Sequence, residues 1–506
     1  MSVSMENRSP EYWATRARSA RFHHTALVDG RFSRSTSEDR FVKESPIDGA
    51  MLAEFAAGTA ADVDAAVASA RAAFDDGRWS DLSATARKSV LLKLADLVQE
   101  HAEELAVLDV LDVGKPINDA LNIDLPLTLG VLRYCAESAD KVCGSVVPAD
   151  ARTIALTMRY PRGVVGGVVG WNFPLVLAVQ KMAPALATGN CLVLKPSELS
   201  TFSALRLAEL ALQAGVPPGV FNVVPGLGST VGTALAAHPD VDLLTFTGSS
   251  ATGKKIMAAA GQSNMKRILL ECGGKAANIV CEDCPDLDAV ADGVTARMFW
   301  NQGQVCTAGT RLLVAESLRE SLVERVAERA ARLRPGNPLD SSTTFGSIVS
   351  RPQMEKILNY IRVGVEQGAQ LRLGGRRVRE DSGGFYIEPT VFEQVRTDMT
   401  IAREEIFGPV LSVIPFDSVD QAIDLANATP YGLSATVWTR NVATMQRLIS
   451  GLRVGEITVN TVDRPTPGAP FGSLPLEPHK GSGFGVESGL EGLQTYTAIK
   501  SVQIHA

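Results

Sequence analysis

Hydrophobic positions along the chain follow two different rhythms. Between residues 60 and 112, "TAADVDAAVASARAAFDD" and "SATARKSVLLKLADLVQEHAEELAVLDV" carry apolar residues three and four apart. That is the period of a helix with one buried face, and it predicts two helices. From residue 163 short apolar runs alternate with helical segments: "GVVGGVVGW", "LVLAVQKMAPALATG", "CLVLK", "ALRLAELALQAG", "FNVVPG", "TVGTALAAH", "DLLTFTGS" and "ATGKKIMAAAG". Strand and helix alternating at this spacing predict βαβ units, hence an α/β fold with a parallel sheet covered by helices. A second alternating stretch from about 272 to 440 is long enough for another α/β unit. Between these patterns, "KVCGSVVPADARTIALTMRYPRG" reads as extended strands without helices, a ribbon whose edge another subunit can pair with.

Composition narrows the classes. The 506 residues exceed one compact core, so two or three domains are expected. With 45% hydrophobic and 21% charged residues the chain reads as soluble and globular. A formal charge of −7 argues against a nucleic-acid or anionic-membrane surface. No apolar run reaches membrane-spanning length, and "MSVSMENRSPEYW" is unlike a signal peptide. Seven scattered cysteines fit reduced thiols in a cytoplasm better than a disulfide framework. Cys281 and Cys284 form a single CxxC, read as a loop after a strand; no metal site is expected.

Several loops carry candidate chemistry. "NQGQVCTAGTR" sets Cys306 in a small, polar, bendable stretch, as a nucleophile needs, yet no histidine lies between His238 and His479 to serve it. Glu271 in "LLECGGKAANIV" offers a carboxylate base: after an apolar strand and before two glycines it can lie in a partly dry turn, where burial raises its pKa toward neutrality. Taken alone it reads as a structural ion-pair partner ahead of a catalyst. "GVVGGVVGWNFP" lacks the GxGxxG order of the common dinucleotide fingerprint. "GSSATGKK" nearly matches a P-loop, but Lys255 stands where a Mg²⁺-binding hydroxyl is required. Gly248, Ser249 and Gly253 there lie between a strand and a helix start, which suits a phosphate or merely a helix cap by Ser249 or Ser250. In "VLKPSE", Lys195 and Glu198 close a strand where ligands of parallel sheets sit, or form a solvated turn.

Taken in order, "GWNFP", "LKPSE", "FTGSSATG", "LECGGK", "NQGQVCTAGTR", "EEIFGPV" and "PFG" make the chain resemble the NAD(P)-dependent aldehyde dehydrogenase superfamily. The resemblance runs from "LVDGRF" to "YTAIKSV", and "EYWATRA", "SNMKR" and "ANIVCEDCPDL" look most like bacterial γ-glutamyl-γ-aminobutyraldehyde dehydrogenases. It implies a Rossmann-type NAD-binding domain (1–142 and 162–272), an α/β catalytic domain (273–473) and a small β oligomerisation part (143–161 and 474–506). It further implies that Cys306 attacks the aldehyde, that Asn172 and the Cys306 N–H hold the oxyanion, and that Glu271 activates the water that hydrolyses the thioester. Lys195 and Glu198 would bind the adenine ribose, Ser249 a phosphate and Glu405 the nicotinamide ribose, with Phe407 against the cofactor. Trp171, Ser197, Gly228, Gly248 and Gly253 complete the expected cofactor set. A carboxylate at Glu198 repels a 2′-phosphate, so NAD is the expected cofactor. The implied partners are a small-molecule aldehyde and further copies of the chain, as a homodimer or homotetramer.

The substrate channel implied by the resemblance involves Leu177, Gln180, Val305, Thr307 and the 460–471 loop with Asp463, Arg464 and Phe471. A polar mouth over an apolar neck suits an aldehyde with a polar tail, such as an amino or amide aldehyde. Aromatic or short aliphatic aldehydes are the alternative. A CoA-acylating semialdehyde dehydrogenase is disfavoured by Glu271, and a silent protein of this fold by the retained Cys306, Glu271 and Asn172. A cysteine hydrolase lacks its histidine. The chain departs from the family pattern in four places: Gly170 for a usual proline, Cys272 for an apolar residue, an inserted "LPLEPH" at 474–479, and Val486 for a common arginine.

Overall fold

The computed structural model describes residues 8–33, 35, 37–461 and 472–505. Two sheets organise it. In the first, the parallel strands Val164–Val168, Cys191–Lys195, Phe221–Val223, Leu243–Thr247 and Arg267–Glu271 stand in spatial order 3-2-1-4-5. That is the doubly wound order of dinucleotide-binding sheets, built here without the GxGxxG sequence. The order reverses between Val164–Val168 and Leu243–Thr247, so the loops at 169–173 and 248–249 open onto one crevice at the strand ends. Short antiparallel strands close the edges, Ala26–Val28 at one side and Gly483–Phe484 against the Glu271 strand at the other.

The second sheet has seven strands, six of them parallel, with Ala277–Val280 and Arg311–Ala315 near its centre. Its strands are apolar on both faces. Ile279 and Leu313 pack into one cluster, while Val280, Leu312 and Val314 pack into another on the opposite side. The ribbon is a separate three-stranded antiparallel sheet in which Thr497–His505 pairs along all of Thr153–Pro161. Val146, Ile154, Ile499 and Ile504 on it are exposed.

One expectation needs correction. Residues 60–112 form three helices rather than two: Ala60–Asp75, Ala84–Glu100 and Ala102–Val113. The backbone leaves the helical region at His101 (φ −96°, ψ 19°), where the chain turns inward. Every residue from Leu105 to Val113 is buried, Asp109 and Asp112 included, so the apolar rhythm there marks a helix closed in on all sides.

Candidate active site

The loop bearing Cys306 is shaped by three consecutive left-handed residues, Asn301 (φ 47°), Gln302 (φ 57°) and Gly303 (φ 68°). Such a run costs backbone energy and persists only where its surroundings hold it. Here they do. Asn301 Nδ2 donates to the Asn172 carbonyl at 3.0 Å, and the Gln304 side chain accepts from the Val349 N–H at 3.0 Å. Asn172, 7% exposed, donates from Nδ2 to the Gln304 carbonyl at 3.0 Å. The predicted oxyanion amide and the predicted nucleophile loop are thereby joined directly. Cys306 and Thr307 are partly accessible, and Val305 and Leu177 are buried beside them in the same apolar cluster.

Glu271 ends its strand 8% exposed. The glycines after it are required by close approach: a Cβ at Gly274 would lie 2.1 Å from the Cys306 carbonyl oxygen, and one at Gly273 2.3 Å from a Glu405 carboxylate oxygen. The turn after the base therefore packs against the nucleophile's backbone on one side and Glu405 on the other. Burial pushes the Glu271 carboxyl well above its ordinary value; Glu487 adds to this and Lys181 opposes it. Burial, then Glu405 and Glu271, push the Cys306 thiol up to about 12, against the pull of Arg297. Both groups therefore hold their protons more tightly than they would in water, and whatever binds beside them changes that balance.

Lys181 and Glu487 escaped the sequence reading. Lys181 lies on the helix Pro174–Ala187 that also carries Leu177 and the partly exposed Gln180, and its Nζ is in direct contact with Glu487 Oε1. The two are 306 residues apart, and no local pattern couples them. With Glu271 and Gln180 they line a cavity of about 20 Å³, room for about one water. Glu487 arrives with the C-terminal segment, which braces the base: the Cys272 N–H donates to the Ser482 carbonyl at 2.8 Å, and Ser482 Oγ to the Gly273 carbonyl at 2.7 Å. The inserted Leu476 exchanges backbone hydrogen bonds of 2.8 and 2.9 Å with Glu487 itself. Leu476 is half-covered, whereas Leu474 is 72% exposed in the single chain.

Across the crevice the expected cofactor residues suit a dinucleotide. Lys195 is buried at its strand end and donates to Glu198 Oε2 at 2.9 Å, which leaves the half-exposed carboxylate oriented at the rim. Ser197 is buried next to them, and its Oγ accepts from the Leu199 N–H. Ser249 caps the helix Ser250–Gln262 by accepting from the Thr252 N–H, so the cap reading of that serine is realised at a helix start that also suits a phosphate. A Cβ at Gly248 would lie 2.5 Å from the Phe246 ring, and one at Gly253 2.9 Å from Cys272 Sγ. Cys272 is thus buried packing beneath the cap helix. Gly228 opens a short wide helical turn and is exposed. Trp171 meets Phe407 edge to face at 5.2 Å, and Phe407 is held in a left-handed conformation (φ 59°) with its carbonyl accepting from Gln353 at 2.8 Å. Glu405 Oε1 accepts from the Gly274 N–H at 2.8 Å. Asp463, Arg464 and Phe471 fall outside the described residues.

Among the described residues no group of three or more His, Cys, Asp and Glu side chains is arranged to hold a metal, and no helix is long and apolar enough to cross a membrane. A cleft of about 740 Å³ between the N-terminal helix and residues 99–129 adjoins none of the predicted site residues.

Comparison with known proteins gives the family. The model of the Aldehyde dehydrogenase family matches residues 32–502. The NADP/NAD-dependent aldehyde dehydrogenase PuuC of Escherichia coli K12 is 43% identical over 493 residues, covering 97% of this chain and 98% of the relative. A solved γ-glutamyl-γ-aminobutyraldehyde dehydrogenase of Burkholderia cenocepacia is 48% identical with a TM-score of 0.95, covering 98% and 100% of the two chains. The AldA indole-3-acetaldehyde dehydrogenase of P. syringae, solved as a mutant with NAD⁺ and IAA, is 44% identical with a TM-score of 0.96 over 99% and 100%. With its strand order and these relatives in agreement along nearly its whole length, the chain belongs to the aldehyde dehydrogenase family and is an NAD(P)-dependent enzyme.

Proposed function

We propose that the protein oxidises an aldehyde bearing a polar tail to its carboxylic acid, through a covalent thioester on Cys306 that Glu271-activated water hydrolyses. The observation that carries this reading is a partly accessible Cys306 whose loop is tied to the Asn172 amide and packed against the turn that follows Glu271.

In this reading Cys306 Sγ loses its proton to solvent and bonds to the aldehyde carbon, as the carbonyl π pair moves onto the oxygen. The oxygen, now carrying negative charge, is held by Asn172 Nδ2 and the Cys306 N–H, donors fixed before the reaction begins. A nicotinamide cofactor held here would supply the acceptor for the hydride that leaves that carbon, which becomes the thioester carbon. Glu271 then takes a proton from water; the water oxygen bonds to the thioester carbon, the C–S bond breaks, and the thiolate returns. A raised pKa suits Glu271 to this work, since a base near the operating pH both exists deprotonated and holds a proton well. Lys195, Ser197, Glu198, Gly228, Gly248, Ser249 and Gly253 hold the cofactor's adenosine and phosphate end, and Trp171, Glu405 and Phe407 its nicotinamide end. The Glu198 carboxylate favours NAD⁺ over NADP⁺.

A polar tail is favoured by Gln180 on the channel helix, and the γ-glutamyl-γ-aminobutyraldehyde dehydrogenase among the relatives makes an amino or amide aldehyde the first candidate. Leu177, Val305 and Thr307 form the channel neck. We assign residues 1–142 and 162–272 to cofactor binding, 273–473 to catalysis, and 143–161 with 474–506 to assembly. The exposed Val146, Ile154, Ile499 and Ile504 suit a face covered in a homodimer or homotetramer. Seven free cysteines suit a cytoplasmic setting.

Absorbance at 340 nm with an aldehyde panel, NAD⁺ or NADP⁺, and with or without CoA tests the proposal. NADH formation independent of CoA, with amino and amide aldehydes preferred over alkyl ones, is expected. An absolute requirement for CoA would replace hydrolysis by acyl transfer, and a preference for alkyl chains would remove the polar-tail assignment.

A further inference from the structure

Arg297 lies in the last turn of the helix Leu287–Phe299, nine residues before the nucleophile, and only 6% of it is exposed. Its guanidinium donates to Ser434 Oγ at 3.5 Å and stands 3.9 Å from Glu456 Oε2. Ser434 Oγ in turn donates to the carbonyl of Thr307, the residue after Cys306, also at 3.5 Å. The arginine stem runs along the far side of the same loop: a Cβ at Gly309 would lie 3.4 Å from Arg297 Cγ and 3.2 Å from Asn278 Nδ2. A buried ion pair adds little stability over apolar packing of the same volume, so stability alone is a weak reason for a guanidinium in this place.

We propose that Arg297 is a positioning residue for the nucleophile, packing against the loop just after Cys306 and setting a permanent positive charge beside that loop. This rests on the reading of Cys306 as the attacking group. Burial acts most on the thiol and favours its protonated form, as do the Glu405 and Glu271 carboxylates, whereas Arg297 favours its thiolate. Arg297 itself is faced by the Glu456 carboxylate at the edge of the second sheet and by the neutral Ser434 and Asn278. A guanidinium stays charged throughout the working pH range, so it biases the thiol without titrating. Both hydrogen bonds are at the long limit, so charge rather than the Ser434 link carries the effect. Glu456 is one-third exposed at its side chain and partly cancels that charge from the solvent side.

The test is the pH dependence of iodoacetamide alkylation at Cys306, read by peptide mass spectrometry in the full chain with the exposed Cys143 changed to Ser. Arg297→Met should slow alkylation at pH 8 by about three- to tenfold and move the profile to higher pH, one pKa unit being a tenfold change in thiolate well below the pKa. Arg297→Lys should restore most of the rate, and Ser434→Ala should leave the profile in place. Glu456→Gln should move it the other way, to lower pH. Profiles for Arg297→Met that superimpose on the parent would overturn the proposal. Should that variant fail to fold, an unmoved profile for Glu456→Gln would overturn it instead. Alkylation reads the thiol whether or not it attacks substrate, whereas turnover surviving Cys306→Ala would sink the nucleophile reading on its own.

Discussion

Two groups of buried charges lie on opposite sides of the Asn172 loop, and they differ in what their burial achieves. Behind the loop are Lys43, Asp109, Asp112, Lys115 and Asp124, all buried. Asp109 accepts from the Leu175 N–H and Asp112 from the Phe202 N–H at 3.0 Å, so two carboxylates of one buried helix cap the starts of Pro174–Ala187 and Phe202–Ala214. Lys115 contacts Asp124 and lies 4.2 Å from the centre of the Phe173 ring. In front of the loop are Glu271, Lys181, Glu487, Arg297 and Glu405, gathered around a partly accessible thiol and a cavity with room for about one water. The rear group is sealed: Lys43 faces Asp112, Lys115 contacts Asp124, and Asp109 accepts from the backbone of Leu175. The front group raises the pKa of a base and of a thiol side by side, a balance that a bound cofactor or substrate can change. Both groups shift the titration of their members, but only beside an opening can a bound molecule reach and use the shifted group.

The largest effect expected from breaking this contrast is at the thiol. Cys306→Ala should abolish turnover at 340 nm while NAD⁺ affinity by calorimetry stays nearly that of the parent, because the sulfur forms the covalent adduct and makes little cofactor contact. Turnover near the parent level would take Cys306 out of the mechanism.

Glu271→Gln comes next. Steady-state turnover should fall roughly 10²–10⁴-fold, typical of a lost general base, with a burst of NADH before the slow phase. The raised pKa of Glu271 fixes the pH dependence: the base is protonated below it, so parent turnover rises with pH through that value. The variant should lose this limb. Lys181→Met sharpens the point, because removing the cation that opposes the rise moves the limb to higher pH. A limb that stays in place in both variants would belong to another group.

How much of this was readable beforehand depends on the range of the cause. Cys306, Glu271, Asn172, Lys195, Glu198 and Glu405 each lie within a few residues of the glycine, proline or turn that shapes them, and short motifs expose such positions. The three left-handed residues at 301–303 are written locally as Asn-Gln-Gly. Lys181 and Glu487 meet only because the C-terminal segment returns as an antiparallel edge on the Glu271 strand. Lys43, Asp109 and Lys115 look like ordinary surface charges to a periodicity argument, and only the helix packing shows them sealed. The missed break at His101 has the same origin, since an apolar period continues through it while the chain changes direction.

The rear group predicts a smaller, opposite kind of pH effect, on stability. Burial pushes the Asp109 carboxyl up to about 7, against the pull of Lys115. Between the ordinary value near 4 and that raised value, the folded protein holds a proton that the unfolded chain has released. Its contribution to stability is therefore complete at low pH and is lost as pH rises toward 7. Asp109→Asn keeps an oxygen to cap Leu175 but has nothing to deprotonate. The Tm difference, variant minus parent, should grow by roughly 2–4 °C from pH 5 to 7 and then level off. A difference independent of pH would mean that Asp109 stays charged in the fold.

The smallest effect concerns the loop between the two groups. Gly170 precedes Trp171 and Asn172, and its φ lies outside the left-handed range that demands glycine. A Cβ there would meet the Thr247 carbonyl oxygen at 3.5 Å and Asn172 Oδ1 at 3.6 Å, ordinary contacts that displace nothing. An alanine fits this backbone and restricts the unfolded chain, so Gly170→Ala should stabilise by about 0.4–1 kcal/mol in denaturant titration. It should also hold Asn172 more firmly toward the position of the oxyanion, leaving turnover unchanged or slightly raised. A loss of stability would mean that the loop needs a freedom at residue 170 that the resting geometry does not use. Turnover that falls while stability rises would place that freedom in the catalytic cycle itself.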